Sequence, residues 1–161
     1  FYFAGMRISD VFRLRWSDFK DGRLHYQMGK NEKAGSLKVP SKAQGILNQY
    51  KASKKSRNGL IFPELDVVED FTDKYLVQRK ISYGVKNNNK WLKRLAEKLS
   101  IEKKLTMHIA RHTFGNLSGD TIPIQMLQKL YRHSDITTTI NYQKSFIYKD
   151  ADDALDAVLN S

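Results

Sequence analysis

The sequence predicts an α+β fold, mainly helical, with one small antiparallel sheet. Three observations predict it. Apolar residues recur three and four positions apart through most of the chain, the spacing that lines one face of a helix. Apolar–polar alternation is confined to residues 22–40, at Leu24, Tyr26 and Met28 and again at Leu37 and Val39, as a half-buried strand requires. The length, 161 residues, is one domain's worth of chain, enough to bury a core.

Taken in order, Phe1–Phe19 predicts a helix end, a turn and a second helix. Gly5 breaks the apolar FYFA stretch, and Ser9 or Asp10 falls in the first turn of RISDVFRLRW. Ile8, Val11, Phe12 and Leu14 supply its inward stripe. Arg7 lies three residues before Asp10, so the acid is placed to orient the guanidinium; an ordinary surface ion pair there is worth less than about 1 kcal/mol. Residues 22–40 predict a hairpin ending at Pro40, whose GKNEKAG loop carries Lys30 and Lys33 near its tip. A loop lysine is either solvated charge or a mobile point-charge donor. Ser41–Lys55 is a helical pattern with Ile46, Leu47 and Tyr50 apolar. GLIFPEL predicts a short strand ending at Pro63, and Asp66–Asp73 a solvated acidic segment. NNNKWLKRLAEKL predicts a helix with Trp91, Leu92, Leu95 and Leu99 inward.

Thr106–Leu117, TMHIARHTFGNL, predicts a central helix with Thr106 as N-cap. His108, Arg111 and His112 then share one face, because residues three and four apart are helical neighbours. Ala110, Phe114 and Leu117 form the opposite, apolar stripe. His108 in the first turn sits where free N–H groups and the helix dipole favour an anion. The face therefore suits a phosphate, or is a basic surface with a capping histidine. Gly119–Ile122 predicts a turn and Pro123 the start of a helix through Met126, Leu127 and Leu130. Arg132–Ile136 predicts a loop carrying His133, and Thr137–Tyr142 a short helix or turn. Lys149–Asn160 predicts a last helix, with Ala151, Ala154, Leu155, Val158 and Leu159 on one face and Asp152, Asp153 and Asp156 elsewhere.

Composition narrows the partner. Lys and Arg number 28 against 17 Asp and Glu, a net charge of +11. Residues 20–57 alone carry ten basic side chains and two acidic ones. Such a surface is built for polyanions, most often nucleic acid. There is no cysteine, which excludes a disulfide framework, a thiol nucleophile and a Cys-based zinc site. No apolar run reaches spanning length and no secretory signal is present, so an intracellular, cytoplasmic protein is expected, nucleoid-associated if bacterial. The chain opens on Phe1 inside an apolar segment, which predicts that an upstream domain has been removed.

Three motifs stand in fixed order: GMRISDV early, HIARH centrally and HSDITTTINY late. Their order and spacing resemble the tyrosine recombinases, the phage-integrase type of site-specific DNA recombinase. The family's first box, G-x-R-x-S-[E/D], matches Gly5, Arg7, Ser9 and Asp10. The central box, T-x-H-x-x-R-H-T-F, matches Thr106, His108, Arg111, His112, Thr113 and Phe114. The last, H-S-x-x-x-T-T-x-x-Y, matches His133, Ser134, Thr138, Thr139 and Tyr142. The resemblance covers nearly the whole chain as the family's C-terminal catalytic domain, residues 1–161. It implies an integrase-type fold whose small sheet carries a lysine hairpin, with the N-terminal DNA-clamping domain absent. One departure is plain: the family usually has Leu-Gly before the late histidine, where this chain has Tyr131-Arg132. The missing glycine predicts an altered local backbone, and Arg132 adds charge.

The resemblance also implies a mechanism. Tyr142 attacks a phosphodiester of double-stranded DNA, giving a 3′-phosphotyrosyl bond and a free 5′-hydroxyl. Arg7 and Arg111 grip the non-bridging oxygens, and Lys33 protonates the leaving oxygen, Lys30 being the alternative. His108 and His133 hydrogen-bond the phosphate, with His108 a candidate base for the tyrosine proton. Asp10 and His112 support the site. No cofactor and no metal are expected. The implied partners are other recombinase protomers, as a tetramer on paired sites, and accessory DNA-bending proteins, with no membrane. Lys149–Asn160 becomes a candidate protomer-docking helix, and integration or excision of a mobile element the implied task. Three rivals share some features. A zinc hydrolase would use the two histidines of HIARH, but its motif needs Glu where Ile109 stands. A type IB topoisomerase shares the catalytic set and would relax supercoils as a monomer. A non-catalytic DNA-binding relic would not keep the Arg, His and Tyr set.

Overall fold

The structure is a computed structural model that describes residues 1–27, 34–51, 56–119, 121–142, 155 and 158–159. The chain divides into two compact units. One comprises Tyr2 and Met6–Ile109; the other comprises Phe1, Phe3–Gly5 and Ala110–Ser161. They are called here the N-terminal and C-terminal units. Among the described residues no helix is long and apolar enough to cross a membrane.

The N-terminal unit opens with α1 (Ile8–Val11), much shorter than the pattern predicts. The helix stops because the next residues pair across the unit. Leu14 O accepts from Ile61 N at 3.0 Å, Trp16 N donates to Gly59 O at 3.0 Å, and Arg15 bridges to Leu60. GLIFPEL thus supplies a β-bridge, followed by a 3₁₀ turn at Pro63–Leu65. A three-stranded antiparallel sheet follows, β1 (Phe19–Lys20), β2 (Arg23–Gln27) and β3 (Ala34–Lys38), in the order β1-β2-β3. Leu24 faces Leu37 and Tyr26 faces Gly35, and Leu24 and Tyr26 are buried as their alternation predicts. The tip between β2 and β3, with Met28, Lys30 and Lys33, lies outside the described residues.

Helix α2 (Ser41–Lys51) buries Ala43 and Leu47, while Ile46 is exposed. Helix α3 (Lys74–Lys98) runs for 25 residues, starting well before NNNKWLKRLAEKL. Asp73 caps it, Oδ1 accepting from Leu76 N at 2.9 Å. Its buried residues are Val77, Ile81 and Ala96. The first two join Phe12, Leu60, Leu65 and Val68 in the apolar core, with Ile8, Phe71 and Val85 packed against it. Trp91, Leu95 and Leu99 are exposed, not inward. The reason is position along the helix: the apolar core packs against Val77, Ile81 and Val85 in its first half, and farther along only Ala96 is buried, Leu99 being the C-cap. Asp66–Asp73 is also not simply solvated, since Val68 is fully buried and its carbonyl accepts from Asn58 Nδ2 at 3.0 Å.

The C-terminal unit holds α4 (Ile109–Leu117) from its second residue, α5 (Ile124–Tyr131) and a helical stretch, 136–142. Ser118 ends α4 by donating its hydroxyl to Gly115 O at 2.8 Å and accepting Ile122 N on its carbonyl at 2.9 Å. Pro123 directly precedes α5. That helix closes with Arg132 N on Lys129 O and His133 N on Gln128 O, both at 3.2 Å. This pairing needs a left-handed residue, usually glycine. Arg132 occupies it, at φ 53° and ψ 41°, so the backbone expected of a glycine is kept without one. Of residues 149–160 only Leu155, Val158 and Leu159 are described; they are helical and exposed.

Candidate functional site

Helix α4 turns Arg111 inward and leaves His112 exposed. Its buried residues are Arg111 and Gly115, whereas Leu117, expected to be buried, is exposed. His108 stands in the turn before the helix, which begins only at Ile109, so it is not in the first helical turn. Thr106 holds that turn through its backbone carbonyl, which accepts Ile109 N at 3.1 Å.

Arg111 is 2 % exposed, and a buried guanidinium must be hydrogen-bonded to be tolerated. Nη1 donates to Gly5 O at 3.0 Å and Nη2 to Tyr131 O at 3.2 Å. Nη2 also lies 3.1 Å from His133 Nε2. Arginine has no acceptor and does not lose its proton in proteins, so Nε2 must be the acceptor there. The His133 proton is then on Nδ1, which donates to Thr139 Oγ1 at 3.0 Å. His133 and Thr139 are both buried. The chain positions them by closing α5 and at once starting the 136–142 helix, whose first turn ends on Thr139 and carries it to the His133 ring.

Tyr142 ends the described part of that helix and is half-buried. Its ring stacks on His112, centroids 4.6 Å apart and planes at 23°. The Tyr131 ring meets it edge-on at 5.1 Å, and the His133 ring lies tilted at 32° with centroids 5.6 Å apart. The Arg111 guanidinium carbon lies 5.7 Å from its centroid. A phenol is thus packed among two imidazoles and a cation within one unit.

Two glycines make room for this cluster. A Cβ on Gly5, whose φ is +62°, would come within 3.1 Å of Arg111 Cα and 3.2 Å of the Tyr131 hydroxyl oxygen. A Cβ on Gly115 would come within 2.8 Å of Tyr142 Cβ and 3.2 Å of the same hydroxyl oxygen. The glycine of the early motif therefore serves the arginine of the central one. Tyr131, which the motif match registers only as a departure, lies at the middle of the cluster. Its signal in the sequence is a bulky phenol two residues before the late His, with α5 periodicity pointing it inward.

The remaining predicted residues belong elsewhere. Arg7 directly precedes α1 in the N-terminal unit, and its carbonyl accepts from the backbone N of Asp10, a buried residue, at 2.9 Å. The backbone beside His108 is pinned in that unit, Met107 N donating to Asn89 Oδ1 of α3 at 2.8 Å. Lys33 and Lys30 lie outside the described residues.

The phage integrase family pattern matches residues 1–147. A tyrosine recombinase from Thermosipho africanus is 29% identical over 144 residues, covering 88% of this chain and 46% of the relative. The tyrosine recombinase XerC of Xanthomonas axonopodis pv. citri is 30% identical over 148 residues, covering 88% and 43%. The chain thus spans about half the length of the curated relatives it matches. Among solved structures, a XerA recombinase aligns with a TM-score of 0.65 at 22% identity, over 88% of this chain and 49% of that one. A XerH site-specific recombinase in a post-cleavage complex with its palindromic difH substrate aligns with a TM-score of 0.64 at 19% identity, over 96% and 42%. At these identities the structural likeness speaks to the fold: mainly helical, with a small antiparallel sheet.

Proposed function

The chain belongs to the phage integrase family, and on that premise we propose that it cuts and rejoins double-stranded DNA at specific sites through a tyrosine nucleophile. The observation that carries this reading is the Arg111, His133 and Tyr142 cluster inside one unit. The net charge of +11 supports the choice of polyanion, as do the names of the relatives.

Tyr142 Oη attacks the phosphorus and the bond to O5′ breaks. The products are a 3′-phosphotyrosyl ester and a 5′-hydroxyl. The ester conserves the bond energy, so a second strand's 5′-hydroxyl reverses the step without ATP. Arg111 supplies fixed positive charge to the non-bridging oxygens, where negative charge grows in the transition state. Once a phosphate oxygen arrives, it is a stronger acceptor for Nη2 than His133 Nε2, and His133 donates to that oxygen once Nε2 carries a proton. Arg7, His108 and Lys33 are assigned by their motif positions: Arg7 as the second clamp, His108 as phosphate ligand and proton acceptor for Tyr142, Lys33 as the acid for O5′. Asp10 and His112 support the site, His112 through its stack on Tyr142. The task proposed is integration or excision of a mobile element, by a tetramer of protomers on paired sites, with residues 149–160 docking on a neighbour.

The test is covalent capture. The protein is incubated with a pool of nicked duplexes of randomised sequence, and detergent-resistant protein–DNA adducts are isolated and sequenced. Wild type is expected to select a restricted set of sequences, and Tyr142→Phe to bind them and yield no adduct. Adduct formed by the Phe variant at the wild-type rate removes Tyr142 as nucleophile.

A further inference from the structure

Tyr131 is fully buried, and its ring and hydroxyl both engage the same residue. The Arg111 guanidinium carbon lies 3.7 Å above the ring centroid. The hydroxyl donates to the Arg111 carbonyl oxygen. The ring also packs against three neighbours: edge-on to His133 at 5.4 Å, edge-on to Tyr142 at 5.1 Å, and tilted against Phe114 at 6.1 Å. A leucine, the usual residue here in the resembled family, offers neither a π face nor a donor.

We propose that Tyr131 is a positioning residue for strand cleavage, its ring fixing the Arg111 guanidinium and the Tyr142 ring while its hydroxyl fixes the Arg111 backbone. This rests on the cleavage reading above. The physical reason is that a flexible arginine side chain clamps a transition state only if its head is already placed. Stacking on an aromatic face holds the guanidinium plane without consuming its donors. The hydroxyl bond ties the main chain of Arg111 to the last residue of α5, so both ends of the arginine are referred to one rigid phenol. The same phenol meets Tyr142, so clamp and nucleophile share a reference. Gly5 and Gly115 leave the space that the hydroxyl fills. Burial pushes the Tyr131 phenol up to about 12, the Arg111 charge working against the rise and Tyr142 adding to it. Tyr131 therefore stays a neutral donor wherever the enzyme works.

The test compares Tyr131→Phe and Tyr131→Leu with wild type as full chains, at a temperature where circular dichroism shows each folded. The substrate is a nicked duplex selected from the randomised pool. Tyr131→Phe keeps the ring and is expected to lower the saturated single-turnover cleavage rate about tenfold. Tyr131→Leu loses ring and hydroxyl and is expected to lower it about 10²-fold or more, the scale of a reacting group misplaced by an ångström. Affinity for the duplex should stay within about twofold in both, because the phosphate charge contacts that dominate it are kept. A merely structural role would instead lower thermal stability and leave the rate per folded molecule unchanged. Either variant cleaving at the wild-type rate overturns the proposal. A second readout needs no DNA: the Arg111 side-chain proton resonances, identified by their loss in Arg111→Lys, should be shifted upfield by the Tyr131 ring and return downfield in Tyr131→Leu. No such shift in wild type also overturns it. If wild type forms no adduct while the shift is present, the cleavage reading fails and the placement of Arg111 by Tyr131 stands.

Discussion

In the N-terminal unit the buried core is Val77 and Ile81 of α3 with Phe12, Leu60, Leu65 and Val68. In the C-terminal unit, Arg111, Ser118, His133 and Thr139 are buried alongside Leu127 and Tyr131. The first arrangement is held by area removed from water, a non-directional force that tolerates exchange of one apolar shape for a similar one. The second is held by hydrogen bonds and ring contacts whose partners must each be in place, because an unsatisfied buried polar group costs free energy. The difference teaches where chemistry and stability separate. Damage to the apolar core should lower stability without altering the cluster's chemistry, and damage to the polar cluster should alter the chemistry of the molecules that stay folded.

The largest expected effect tests the apolar side. Leu65 is fully buried, so Leu65→Ala should lower stability by about 2–5 kcal/mol. Chemical denaturation measures this. The cleavage rate per folded molecule should be unchanged, and a slowed rate would break the separation.

The converse substitution is Gly115→Ala, whose Cβ would lie 2.8 Å from Tyr142 Cβ. Tyr142 must move, and adduct formation should fall about 10²-fold. The denaturation midpoint should change little, since alanine favours a helix by about 1 kcal/mol over glycine and offsets part of the clash. An alanine variant with the wild-type cleavage rate would mean that the position of the Tyr142 ring does not govern the chemistry.

A smaller effect sharpens the comparison at the end of α5. Arg132 holds a left-handed backbone, which costs a residue with a Cβ roughly 1–2 kcal/mol. Arg132→Gly should therefore gain stability by about 0.5–1 kcal/mol once the extra chain entropy of glycine is counted. A loss on denaturation would show that the arginine side chain contributes more than its backbone strain costs.

A further effect is a pH dependence confined to alkaline solution. The Tyr131 phenol, raised to about 12, holds its proton when the unfolded chain, titrating near 10, has released it. The unfolded state then binds fewer protons, so stability falls as pH rises from about 10 towards 12. Thermal melts across that range should fall less steeply for Tyr131→Phe than for wild type. Parallel slopes would place the phenol's titration at its ordinary value.

The sequence by itself determined the hairpin, the α2 and α5 helices and the Pro123 start, because each is written in short-range pattern: alternation, helical spacing, a fixed proline φ. It also carried the motif positions of Arg111, His133 and Tyr142, since these are residue types at fixed spacing. Only the tertiary structure decided the rest. α1 ended early because Leu14–Trp16 found partners at Gly59–Ile61, a pairing across more than forty positions that no local pattern records. Trp91, Leu95 and Leu99 faced solvent because the apolar core, with Phe12 and Leu65, packs only against the first half of α3, at Val77, Ile81 and Val85. On α4 the apolar-inside rule failed at Leu117, and Arg111 went inward. A carbonyl at Gly5, another at Tyr131 and the ring nitrogen of His133 were waiting for its charge. Hydrophobic periodicity weighs a side chain against water, whereas a buried arginine is decided by partners distant in the chain, and those exist only once it has folded.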